Sequence, residues 1–159
     1  MDPNDLPLTF GDRFVRERSD VISVDGVDVY LRLCIPEVAA GAKIQISFER
    51  YINFPRQALC VATTKGKFTI NGVAAARMVL WADNSPKFIE GPISNRVPAE
   101  VVVYNAWERR GGGIDAGLRY AGIRIETLEE DHWRLNCSDG IGEADFADLV
   151  VSVKLLRGA

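Results

Sequence analysis

Along residues 27–35 every second side chain is apolar: Val27, Val29, Leu31, Leu33 and Ile35 alternate with Asp28, Tyr30, Arg32 and Cys34. A period of two places the two sets on opposite faces of an extended chain, so the segment is a strand with one side buried. The period returns in 43–54 through Ile44, Ile46, Phe48, Ile52 and Phe54. It returns again in 132–138 through Trp133, Leu135 and Cys137, and in 150–156 through Val151, Val153 and Leu155. Helical spacing of three and four is missing over any comparable length, which confines helix to about one turn near 36–40, stopped by Gly41. Valine and isoleucine number 28 against 12 leucines. Their branched side chains suit a pleated surface better than a helix.

Turn chemistry orders these strands. Asp25-Gly26 and Asn71-Gly72 both accept positive φ, the requirement of a two-residue hairpin. The first joins 21–24 to the strand at 27–35, and the second is expected to lead from 67–70 into a strand at 77–82. Arg50 falls on an inward slot of 43–54, which predicts a bulge or a sheet edge there. Residues 100–107 are apolar on both faces, as in a strand at the centre of a packed sandwich. A change of face at Gly122 predicts a glycine bulge within 118–128. About nine or ten short strands imply two antiparallel sheets, a β-sandwich or jelly roll. The expected organisation is a single all-β domain over 1–159, with residues 1–19 as an N-terminal arm.

The 159 residues carry 19 Lys and Arg against 22 Asp and Glu, a net charge of −3, and nothing in that balance predicts a nucleic-acid partner. No apolar run approaches the roughly 18 residues of a membrane span. The opening Met-Asp-Pro-Asn-Asp-Leu-Pro has acids and prolines where a secretion signal needs bases and an apolar stretch. Three cysteines, Cys34, Cys60 and Cys137, make no disulfide framework. A cytoplasmic protein is the expectation.

Charge is distributed unevenly. Residues 126–148 hold eight acids and a single base, Arg134, for a local charge of −7, while the rest of the chain is at +4. Crowded carboxylates repel unless a cation or a set of N–H groups compensates. Hard cations, Ca²⁺ above all, take six to eight oxygens from carboxylates and backbone carbonyls. Asp139, Glu143, Asp145 and Asp148 are the candidate ligands, with Glu143 and Asp145 on one side of an extended chain. Turn capping, in which the same carboxylates accept backbone N–H groups, is the competing reading.

The stretch Glu143-Ala144-Asp145-Phe146-Ala147-Asp148-Leu149-Val150 resembles the D-x-D-[FY]-x-D-[LV]-V close of several uncharacterised bacterial β-sandwich proteins. The resemblance extends over 77–153 through Leu80-Trp81-Ala82-Asp83, Tyr104-Asn105-Ala106-Trp107, Gly122, Trp133, Cys137 and Asp139-Gly140. It implies a sandwich and, for some members, a Ca²⁺ ion. It implies no activity. Glu143 stands where that pattern prefers Asp, and Ala147 where it often has Asn or Asp.

Other chemistry fares less well. His132 is the sole histidine and points to the opposite strand face from Cys137, so they make no local catalytic pair. Gly111-Gly112-Gly113 follows Arg109-Arg110, but no helix N-terminus or Lys-Ser/Thr follows to make a phosphate loop. Trp81, Trp107, Trp133 and Tyr104 offer either sugar-binding faces or core packing. Three functions remain: a non-enzymatic sandwich binding a small molecule, a protein partner or Ca²⁺; a jelly-roll hydrolase or isomerase using clustered carboxylates; and a structural protein or homo-oligomer assembling through edge strands such as 43–54.

Overall fold

The structure, a computed structural model, describes residues 7–158. Residues 1–6 of the expected arm lie outside the described residues. The chain is all-β: two antiparallel sheets face one another across an apolar core. The large sheet holds β1 (Val21–Val24), β2 (Val27–Tyr30), β4 (Lys43–Tyr51), β6 (Lys67–Ile70), β7 (Val73–Ala75), β9 (Phe88–Ser94), β12 (Gly122–Glu129), β13 (His132–Ser138) and β14 (Leu149–Leu156). Their order is β1-β2-β12-β13-β14-β4-β9-β6-β7. The small sheet runs β11 (Ile114–Asp115), β10 (Ala99–Glu108), β5 (Gln57–Thr63) and β8 (Arg77–Trp81), with β3 (Leu33–Val38) also paired to β10.

Period-two alternation builds the core directly. Ile44, Ile46 and Phe48 of β4, Leu135 and Cys137 of β13 and Val151, Val153 and Leu155 of β14 turn inward. They meet Leu59 and Val61 of β5 and Val101 and Val103 of β10 from the facing sheet. Both two-residue turns have positive φ at each position, Asp25 (51°) with Gly26 (79°) and Asn71 (52°) with Gly72 (77°). The bulge expected at Arg50 is present: Val150 pairs with Arg50 and Val151 with Phe48, so Glu49 is skipped. It lies inside the sheet, however. β4 is flanked by β14 and β9, and is not the edge strand offered for self-assembly.

Four local expectations change. No helix forms at 36–40: Pro36 and Glu37 sit in β3 where the register with β10 shifts, and only β10 pairs with that strand. The helix is instead α1 (Phe10–Glu17), within the stretch assigned to an arm. Thr9 and Asp12 form a reciprocal capping box at its start, and Phe10 and Phe14, one turn apart, are buried against Ile22, Val29 and Phe146. The Asn71-Gly72 turn leads into the short β7, after which the chain crosses at Ala76 to begin β8 in the other sheet. Gly122 opens β12 and is not a bulge. A Cβ there would stand 2.5 Å from Val29 Cγ1, so glycine is needed for β2 and β12 to lie close; the register shift in β12 falls at Leu128.

Candidate functional site

Two polar regions stand out. The first closes one end of the sandwich. Gln57 at the start of β5 and Asn105 on β10 point inward from the small sheet, and Ser138, Asp139 and Asp148 meet them from the end of β13 and the start of β14. All five are buried. Gln57 Nε2 donates to Asp139 Oδ2 at 2.9 Å, and Asn105 Nδ2 donates to the Ser138 carbonyl at 2.9 Å. The Ile141 amide donates to Asp139 Oδ1 and the Asp139 amide to Asp148 Oδ2, each at 2.9 Å. The Phe146 amide donates to Ser138 Oγ. Arg119 holds the loop from outside by donating to the Gly140 carbonyl at 2.6 Å. Gly140 itself admits no side chain, since a Cβ would lie 2.6 Å from Trp107 Cζ2.

Of the four acids singled out as candidate ligands, two belong to this plug. The structure brings Asp139 and Asp148 together in the interior. Asp145 is exposed, close enough to act on Asp148 through its charge, and its Oδ1 accepts the Ala147 amide at 3.0 Å. Glu143 stands in solvent. Among the described residues no three His, Cys, Asp or Glu side chains are arranged to hold a metal. The carboxylates instead take up backbone and amide N–H groups, the arrangement of turn capping. Burial, with the neighbouring Asp139 and Asp145 charges adding to it, raises the Asp148 carboxyl to about 6. Two further acids of the segment have cationic partners, Glu126 with Arg134 at 3.2 Å and Asp131 with Arg157 at 2.8 Å, and Arg134 also pairs with Glu49 at 2.8 Å.

The second region is a cleft of about 600 Å³ across the outer face of the small sheet. Strand register explains why it is hollow. Arg77 of β8 lies opposite Ala62 of β5, Ala62 opposite Val102 of β10, and Val102 opposite Cys34 of β3. Ala62 and Val102 in that row have short side chains, and Arg77 at one end has a long one. One step along the strands, Glu100 and Thr64 are neighbours, with the Glu100 amide donating to Thr64 Oγ1 at 2.9 Å. One step the other way, Tyr104 lies opposite Cys60. Arg32, Leu31, Ala116 and Gly117 complete the wall. Tall residues thus ring a floor of alanine and valine.

The polar groups of this ring are poorly matched to one another. Arg77 and Glu100 have no ion-pair partner among the described residues. Arg32 reaches Asp20 at 3.4 Å, and its buried Nε has no hydrogen-bond partner. Burial raises the Tyr104 phenol while the Arg77 and Arg32 charges pull it down, so both guanidiniums are felt at its oxygen. Burial likewise pushes the neighbouring Cys60 thiol up to about 11, which leaves it neutral at pH 7.

The aromatic candidates divide. Trp107 is fully buried, and its Nε1 and the Oε1 of Gln57, its cross-strand neighbour, have no partner among the described residues. Trp133 packs on the core, and Trp81 lies beneath Arg56 at 4.4 Å, a guanidinium held by both oxygens of Asp83 at 2.8 Å. Tyr104 alone of the four lines the cleft. His132 and Cys137 do lie on opposite faces of β13, the thiol buried in the core. The Gly111-Gly112-Gly113 run is an exposed turn between β10 and β11.

What sequence reasoning missed is Arg77, Glu100 and Ala62. A signal existed: in β5, Ala58, Cys60 and Ala62 share one face while Leu59 and Val61 share the other. Small side chains on an outward face mark a depression. No helix among the described residues is long and apolar enough to cross a membrane. Compared with known proteins, the chain matches no family model, no curated protein and no solved structure.

Proposed function

We propose that this protein is a non-enzymatic, ligand-binding β-sandwich whose site is the cleft on the outer face of the small sheet. One observation carries the reading: a floor of Ala62 and Val102 ringed by Arg77, Glu100, Arg32 and Tyr104, with Arg77 and Glu100 unpaired among the described residues. Its volume of about 600 Å³ suits one small molecule, and sites for such ligands combine an apolar surface with a few convergent polar groups. The sheet beneath is rigid, because β10 is paired on both sides. The buried acids support the same division of labour, since they are engaged in closing the sandwich.

The test is a thermal-shift screen of wild type and Ala62→Trp against a panel of sugars, sugar acids, hydroxy acids and amino acids. A ligand that binds only the native state raises the unfolding midpoint. Members that stabilise wild type and lose their effect on the indole-filled floor support the reading. The milder Ala62→Leu serves if the tryptophan variant lacks a cooperative transition. A panel with no stabilising member, or hits indifferent to both variants, overturns it.

A further inference from the structure

We infer that the cleft selects a hydroxylated ring carrying a carboxylate, a sugar acid in chemical class, an inference that rests on the cleft being the binding site. The argument begins with spacing. Arg77 and Val102 are separated by the width of two strand pairs, and Glu100 lies two residues along β10 from Val102. At about 4.8 Å per strand and about 3.3 Å per residue, the Arg77 and Glu100 backbones are about 12 Å apart. Their side chains point into the same hollow from opposite corners and do not meet. An occupant that engages both corners at once needs an anionic group for Arg77 and a hydroxylated body for the Glu100 side, as a ring with a carboxylate at one end has.

Charge decides the polarity of the occupant. Arg77 is exposed and without a carboxylate partner among the described residues, and a guanidinium recognises a carboxylate through two parallel N–H donors. Arg32, across the floor beside Tyr104, already faces Asp20 at 3.4 Å, so the anion-binding corner is that of Arg77. At the opposite corner the available groups are the Glu100 carboxylate and the Thr64 hydroxyl, which already accepts the Glu100 amide and so has its own proton to donate. That pair suits hydroxyl groups, which both give and take hydrogen bonds. Ala62 and Val102 beneath supply the short apolar contact that the C–H face of a sugar ring requires.

Titration calorimetry with D-glucuronate, its neutral amide glucuronamide, and D-glucose, on wild type, Arg77→Gln and Ala62→Leu, tests this. We expect glucuronate to bind wild type about tenfold or more tightly than glucuronamide or glucose, the size of one charge-assisted contact. Arg77→Gln, an exposed position that folding tolerates, is expected to bring acid and amide within about twofold of each other, and Ala62→Leu to weaken all three. Equal binding of acid and amide to wild type, a preference that survives Arg77→Gln, or no glucuronate binding overturns the sugar-acid assignment; the cleft reading then stands or falls separately on whether panel hits respond to filling Ala62. Glucuronate binding untouched by Ala62→Leu overturns both.

Discussion

The plug and the cleft are both polar patches on the same sandwich, and they differ in what their groups touch. In the plug, Asp139 accepts Gln57 on one oxygen and the Ile141 amide on the other, while Asp148 accepts the Asp139 amide. In the cleft, Arg77 and Glu100 line one hollow without reaching each other. Burial explains the difference. Polar groups taken out of water must find partners within the chain, and an unmet one costs about 1–3 kcal/mol. Groups facing a solvated hollow carry no such obligation and stay free for a ligand. A dense internal hydrogen-bond network, in which among the described residues only Gln57 Oε1 and the adjoining Trp107 Nε1 go without a partner, therefore marks a structural plug, and unpaired charge above small side chains marks a binding surface.

The contrast is broken most forcefully at Asp139. Asp139→Ala leaves one Gln57 N–H, the other being held by the Pro55 carbonyl, and the Ile141 N–H without an acceptor, and should cost about 3 kcal/mol, or roughly 6–12 °C in the unfolding midpoint of a chain this long. Denaturant titration measures it. A loss below about 1 kcal/mol would mean that the plug contributes little to stability and that its acids are available for other work.

Asp148 sharpens the comparison through pH. Its folded carboxyl titrates near about 6, raised first by burial, whereas an unfolded aspartate titrates near about 3.9. From about pH 4 to 6 the unfolded chain releases a proton that the folded one keeps, so this group's contribution makes stability fall as pH rises across that window. Asp148→Asn keeps an oxygen for the Asp139 amide and removes the charge. The variant should match wild type near pH 4 and exceed it by about 1 kcal/mol at pH 7, a figure reduced for partial solvent screening. Parallel denaturant curves at the two pH values give the difference, and a constant offset would refute the burial argument.

The legible and the illegible parts of the molecule separate along the same physical line. Strands were readable because a period of two is a local property: β4, β13 and β14 lie where alternation puts them. Helix α1 escaped because only Phe10 and Phe14 face inward in eight residues, too few to establish a period, although Thr9 and Asp12 carried the capping signal. The acidic crowding was visible, but what answers it was not. Arg157 lies 26 residues from Asp131, and Gln57 lies 82 from Asp139. The cleft was harder still, since Arg77, Ala62, Val102 and Cys34 become neighbours only once the register of four strands is fixed. The doubly apolar pattern of 100–107 predicts central burial. Its outward half, Val102, Tyr104 and Ala106, lies beneath the cleft and the residues around Ile114 and Ala116.

The smallest expected effect is that of calcium. A Ca²⁺ ion gathers six to eight oxygens, and the plug has few to give: both Asp139 oxygens, one from Asp148 and one from Asp145 already accept N–H groups, and Glu143 is exposed. Binding would have to strip those hydrogen bonds from a closed end of the sandwich, at about 1 kcal/mol or more each. Millimolar CaCl₂ should therefore shift the thermal midpoint by less than about 1 °C, where a site bound at a hundred times its dissociation constant would raise it by about 5–10 °C. A larger rise, abolished by Asp145→Asn, would show that the acids trade their N–H partners for an ion. Carboxylates engaged by N–H groups would then no longer distinguish a structural plug from a binding site, and the inference drawn for the cleft from its unpaired groups would lose its counterpart.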